Sequence, residues 1–206
     1  MLSRTDTDRA GVEVARADVI AAAIPDDALD SWLETWRDRL AGKRAFHFSG
    51  ARVIDGFPGY HPLYSFPQTP LAPAQFGAIA IAREPGAAPF AEIIPGANNP
   101  ELAVAAEDRA FYHALAVVSG NFAAHLWNET AAAFAERLGP KGGEILSAYF
   151  ASVVDRFRES PLSSMTGPVA RRDAGTVAAN LKALEASPRL RALYQAFLES
   201  AWPGRG

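Results

Sequence analysis

Proline divides this chain into three stretches. Nine of its fifteen prolines fall between Pro58 and Pro100, with Pro25 alone before them and five after. Proline fixes φ and removes a backbone donor, so it breaks helices and is kept out of central strands. Residues 58–100 are therefore expected as short extended pieces and loops. The two flanks are left to build regular structure.

The first flank reads as strand, helix, strand. Val19 to Ile24 is the longest uninterrupted apolar run and Pro25 closes it, which suits a short buried parallel strand. Asp26 and Asp27 then suit an N-cap and a first-turn acid. Leu29, Trp32, Leu33, Trp36 and Leu40 follow at helical spacing and mark one apolar face. Gly42 ends that helix, and Arg44 to Phe48 reads as the next strand. Short joints between these elements make a βαβ unit. A further strand is expected at Phe76 to Ala82.

The second flank is rich in alanine, which supplies about a fifth of all residues and favours helices that pack closely. Helices are expected near 101–138, 142–158, 174–186 and 188–200, with a break at Gly120. Gly139-Pro140 and Ser160-Pro161 stop the first two. Asp173 suits a cap for the third, and Ser187-Pro188 suits a cap and first-turn proline for the fourth. The expected architecture is α/β over residues 1–95 followed by all-α over 96–206.

Composition narrows the function. The chain has 206 residues, 49% of them hydrophobic, enough for one large domain or two small ones. A net charge of −3 offers no footprint for a nucleic-acid backbone. Cysteine is absent, which removes disulfides, thiolate metal sites and Cys nucleophiles, and fits a cytoplasmic setting. No apolar run is long enough to span a bilayer as a helix, and no membrane partner is expected. The sequence holds no Gly-x-x-x-x-Gly-Lys-Ser/Thr loop, no His-Glu-x-x-His and no Gly-x-Ser-x-Gly. Its histidines at 47, 61, 113 and 125 show no close-spaced metal pattern.

Five segments carry polar groups suited to a ligand. Ile24-Pro25-Asp26-Asp27 would lie at the carboxyl end of the first strand, where doubly wound sheets bind ligands; it also suits an ordinary turn. His47-Phe48-Ser49-Gly50-Ala51 ends the second strand, with a hydroxyl and backbone N–H groups to offer. His61-Pro62 holds a histidine in a non-helical loop, where it could donate to a substrate oxygen or serve the core. Arg109, Tyr112, His113, Ser119 and Asn121 form a polar stripe on the long helix. Thr166, Arg171 and Arg172 join two later helices, as an anion site or as solvated groups.

Taken in order, these segments resemble the Rossmann-like proteins that carry a DUF2520 C-terminal domain. That group is similar to the 6-phosphogluconate-dehydrogenase-like enzymes, to pyrroline-5-carboxylate reductase and to coenzyme-F420-dependent NADP oxidoreductases. Thr166-Gly167-Pro168-Val169-Ala170-Arg171 and the Tyr112-His113 helix carry the resemblance most specifically. It implies a Rossmann-like domain followed by a helical domain that mediates homodimerisation, NADP or NAD as cofactor, and a small-molecule substrate. It further implies that Arg4, Pro25, Asp26, Ser49 and Gly50 face the cofactor. His61, His113 and Asn121 would orient or protonate the substrate, with Ser65, Tyr112, Thr166 and Arg171 beside it.

The sequence departs from that family at one place. The family's opening strand and Gly-x-Gly-x-x-Gly turn, which bring the pyrophosphate onto a helix N-terminus, have no counterpart. Ser3-Arg4-Thr5 resembles the end of the second strand, so a unit of about 30 residues would be expected before it. Arg109 stands where the family often has lysine, a permanent charge in place of a titratable one. Two readings follow: an NAD(P)-dependent oxidoreductase, or a non-catalytic dimeric relative that binds or regulates without a dinucleotide.

Overall fold

The computed structural model describes residues 7–204. The chain divides into two compact units, residues 1–122 and 123–206. Composition changes near residue 95, but contacts persist to Phe122 because the helix that follows is fastened to the sheet by a buried arginine, described below.

The first unit begins with helix α1 (Thr7–Arg16), strand β1 (Val19–Ala22), helix α2 (Leu29–Leu40) and strand β2 (Arg44–His47). β1 and β2 pair in parallel, with Val19 opposite Arg44 and Ala22 opposite His47. Gly42 takes the left-handed conformation (φ +76°) that ends α2 and returns the chain to the sheet. One expectation is corrected. Asp26 does not cap the helix: Asp26–Ala28 form a separate 3-10 turn, with Pro25 at its N-cap and no side-chain cap bond. The Asp26 carboxylate is instead engaged by Ser49.

The proline-rich stretch holds strand β3 (Tyr60–Pro62), helix α3 (Pro73–Gly77), strand β4 (Ile81–Arg83) and helix α4 (Phe90–Ile93), all short as proline demands. β3 runs antiparallel to β4, and β4 parallel to strand β5 (Glu101–Ala103). An isolated parallel bridge from His47 to Gly59 links β2 to the chain entering β3. The strand expected from Phe76 starts later, since Phe76 and Gly77 finish α3. The helix expected from residue 101 also starts later. Residues 101–103 are drawn into the sheet by Ile81 N–H to Pro100 O and Val104 N–H to Arg83 O, each 2.8 Å. Glu101 adds an ion pair with Arg83 and accepts from Phe90 N–H at 2.7 Å. Helix α5 (Arg109–Ala116) follows, and a π-helical stretch, Val117–Phe122, ends the unit.

Phe46, Tyr60, Ile79, Ile81, Phe90 and Ile93 form the main core of this unit. The Phe46 ring meets Tyr60 edge-on at 5.3 Å and Phe90 at 6.3 Å, the geometry aromatic quadrupoles favour. Burying each such ring contributes about 2–3 kcal/mol. Val14 of α1 packs with Ile20 and Leu40, so α1 covers one end of the β1–α2 layer.

The second unit is helical: α6 (Ala123–Leu138), α7 (Lys141–Glu159), α8 (Gly167–Ala170), α9 (Ala174–Ala183) and α10 (Pro188–Ala201). Gly142 lets α7 approach α6 closely, since a Cβ there would lie 2.7 Å from Phe134 O. Trp127 and Phe150 stack at 4.8 Å across the same pair. Asp173 caps α9 as expected, accepting from Thr176 N–H at 3.0 Å. Val169, Val177 and Leu198 form the core of this unit. Among the described residues, no helix is long and apolar enough to cross a membrane.

Candidate active site

Both loops that leave the parallel strands at their carboxyl ends meet here. The Ser49 hydroxyl, after β2, donates to the Asp26 carboxylate, after β1, at 2.6 Å. The same oxygen accepts from the N–H groups of Ala51 (3.3 Å) and Arg52 (3.0 Å). Arg52 in turn pairs with Asp30 on α2. Ser49 thus spends its hydroxyl on locking the two loops together.

Gly50 is the surface on which the histidines rest. A Cβ at Gly50 would lie 2.6 Å from Cδ2 of His113 and 3.0 Å from Cδ2 and Nε2 of His61. Only a residue without a side chain lets α5 and β3 bring both rings onto this loop. The two imidazoles lie 5.9 Å apart, nearly perpendicular. Nδ1 of His61 is 2.8 Å from the Tyr112 hydroxyl. His61 Nε2 has no hydrogen-bond partner among the described residues and is not one of the buried unpaired atoms, so it reaches solvent.

Beneath this cluster lies a buried charge. Arg109 is fully buried and donates from Nη2 to Gly59 O at 2.7 Å and from Nη1 to Ala82 O at 3.5 Å. Glu84 Oε1 stands 3.8 Å from Nη2 and accepts Gly59 N–H at 3.1 Å. The guanidinium fork spans two strands and anchors α5 to them, which places Tyr112 and His113. A buried cation needs such partners, because desolvation otherwise removes its charge. His47 is equally buried; its Nδ1 accepts Ser49 N–H at 3.1 Å, and its Nε2 is unpartnered.

These surroundings set the protonation states. Burial, and then His113 and Arg109, lower the pKa of His61 to about 4. Burial, and then Arg109, lower that of His47 to about 4. Burial raises the pKa of Tyr112, against the opposing pull of Arg109. At neutral pH His61 and His47 are therefore neutral imidazoles and Tyr112 a protonated phenol.

The structure thus joins Asp26, Ser49, Gly50, His61, Tyr112 and His113. Pro25 lies at the rim of the same loop, exposed. Asn121 does not join His113: it is exposed and makes no hydrogen bond to a described residue. Asn121 lies within a π-helical stretch, Val117–Phe122. Ser65 is exposed in the loop after β3. Thr166 and Arg171 are exposed at the two ends of α8 in the second unit. Arg4 lies outside the described residues. The weight of His47, Glu84 and Arg109 escaped sequence reading. A histidine between Phe46 and Phe48 in a strand was the one signal, since such a side chain must point into or out of a core.

A dinucleotide makes a further demand. Its pyrophosphate needs N–H groups at a helix N-terminus, and the loop after β1 offers two carboxylates, Asp26 and Asp27, at a three-residue turn. That loop does not fit a pyrophosphate, whereas the His61–Tyr112–His113 cluster presents polar groups suited to a ligand.

An α/β unit with its polar cluster at the strand carboxyl ends, followed by a helical unit, is the architecture of Rossmann-like proteins with a helical C-terminal domain. Residues 80–201, more than half of the chain, match the family described as a domain of unknown function, DUF2520, and the protein belongs to that family. Among solved structures it is similar to the "putative NADP oxidoreductase BF3122" from Bacteroides fragilis. The TM-score is 0.72 at 20% identity, over 92% of this chain and 76% of that one. It is also similar to protein TM1727 from Thermotoga maritima, with a TM-score of 0.69 at 22% identity over 89% of this chain and 75% of that one. At such identities the likeness shows the fold alone. No curated protein matches.

Proposed function

We propose that this protein is an oxidoreductase of the NAD(P)-dependent class acting on a small substrate, in a cytoplasmic setting. The observation that carries the reading is the His61–Tyr112 pair resting on Gly50 at the carboxyl ends of β1 and β2. Ligands of open α/β sheets bind at that end. The name given to the Bacteroides fragilis neighbour supports NADP as the cofactor. Within this reading, Gly50 and Ser49 shape the floor of the site and Arg109 fixes α5. His61 and His113 are the groups that touch substrate.

The second reading, a ligand-binding relative that uses no dinucleotide, is favoured by the acidic loop after β1. Calorimetric titration with NADPH separates the two. Saturable binding supports the oxidoreductase; no heat at millimolar NADPH overturns it in favour of the second reading.

The helical unit is also proposed as the dimer interface. Ile145, Tyr149, Val153 and Phe157 recur every four residues along α7, and all are exposed. Such an apolar stripe marks an interaction surface.

A further inference from the structure

The two ring nitrogens of His61 face different surroundings. Nδ1 lies 2.8 Å from the Tyr112 hydroxyl, and Nε2 lies against Gly50 with no hydrogen-bond partner among the described residues. A neutral imidazole carries one proton, and the partner of one nitrogen decides where it sits. The Tyr112 phenol has one proton and no other hydrogen-bond partner among the described residues. Donating it into the lone pair of Nδ1 satisfies both groups. The reverse arrangement, Nδ1–H to the phenol oxygen, leaves the phenol proton without a protein acceptor.

The charges facing His61 favour the same state. From α5 these are Arg109, His113 and Tyr112; from the loop after β1 it is Asp26. Arg109 and His113 oppose a second proton on the ring. Asp26 favours one, but its carboxylate is already held by Ser49. His61 therefore remains a neutral donor, a group that polarises an oxygen without itself carrying charge.

We propose that Tyr112 is a positioning residue that fixes His61 as the Nε2–H tautomer, so that the site takes its substrate through a carbonyl oxygen and not through a protonated imine nitrogen. An iminium N–H would meet another donor at Nε2. A carbonyl oxygen meets the donor it needs. The proposal rests on reading this cluster as the substrate site.

The test is nitrogen NMR on the full chain labelled at histidine, with and without Tyr112→Phe. The tautomers have well-separated nitrogen shifts. The expected result is Nε2–H for His61 in the wild type from pH 5.5 to 8.5, and a mixture of tautomers in Y112F. Nδ1–H in the wild type, or an unchanged tautomer in a folded Y112F, overturns the proposal. The wild-type result stands whether or not the variant folds.

Cyclopentanone and the cyclic imine pyrroline, matched in ring size, then serve as probes at pH 5.5, where pyrroline is the protonated iminium. Cyclopentanone is expected to shift the His61 Nε2 resonance more than pyrroline does. A larger shift from pyrroline, or none from either, overturns the substrate class. Neither readout needs a cofactor or turnover. Failure of NADPH to bind is thus distinguishable from failure of this assignment.

Discussion

Cδ2 of His113 stands 2.6 Å from the point that a Cβ on Gly50 would occupy. Gly50 does not have a left-handed φ, so the constraint is room and not backbone conformation. Gly50→Ala is expected to push His113 and His61 off the loop, at a cost of about 1–3 kcal/mol of overpacking. Thermal denaturation would report the cost. Nitrogen NMR would show the His61 and His113 resonances moving together while His125, in the second unit, stays unchanged. Unmoved resonances would mean that the rings do not rest on Gly50.

Arg109 couples three parts of the first unit through one buried guanidinium. Removing it with Arg109→Met leaves Gly59 O, Ala82 O and the Glu84 carboxylate without their cation. The expected loss is about 3–5 kcal/mol, the scale for breaking a buried ionic contact from one side. Arg109→Lys should recover little of it, because a single ammonium cannot span carbonyls on two strands as the planar fork does. Urea unfolding of both variants checks this. Full stability in R109K would show that the charge, and not the fork, is what matters.

The same arginine shows where sequence reading stops. The β1–α2–β2 unit was legible because its signals are local: an apolar run closed by Pro25, an apolar face at helical spacing, and Gly42 in the left-handed conformation. The clustering of Asp26, Ser49, Gly50, His61, Tyr112 and His113 was foreshadowed by resemblance. Burial of Arg109 was not, because its acceptors Gly59 and Ala82 lie 50 and 27 residues away. β5 was missed for a related reason. Glu101–Ala103 becomes a strand only because β4 offers an edge, a tertiary effect that overrides helix preference. The break expected at Gly120 takes the form of a π-helical stretch, Val117–Phe122.

His47 should make the first unit sensitive to mild acid. Its folded pKa lies near 4, mainly through burial, against about 6.5 in the unfolded chain. As pH falls below 6.5 the unfolded state takes up a proton that the folded state refuses. Stability is therefore complete above pH 6.5 and declines between pH 6.5 and 4, by on the order of 2–3 kcal/mol from this residue. Replacing it with His47→Gln removes the titrating group. Chemical denaturation at stepped pH should then show a shallower acid slope in H47Q than in the wild type. Parallel slopes would mean that His47 titrates normally in the folded protein.

The α7 stripe gives the last expectation. Ile145 and Tyr149 expose 69% and 62% of their surface, far more than an isolated apolar helix face tolerates in water. If this face joins two copies, one carboxylate per residue should separate them, since a buried unpaired charge costs several kcal/mol on each side of a two-fold interface. The double variant Ile145→Glu, Tyr149→Glu is expected to run as a monomer in light scattering where the wild type runs as a dimer. Both substitutions lie in the second unit, and unchanged His61 and His113 resonances would show that the first unit keeps its fold. A wild-type monomer, or a variant that stays dimeric, would move the interface away from α7.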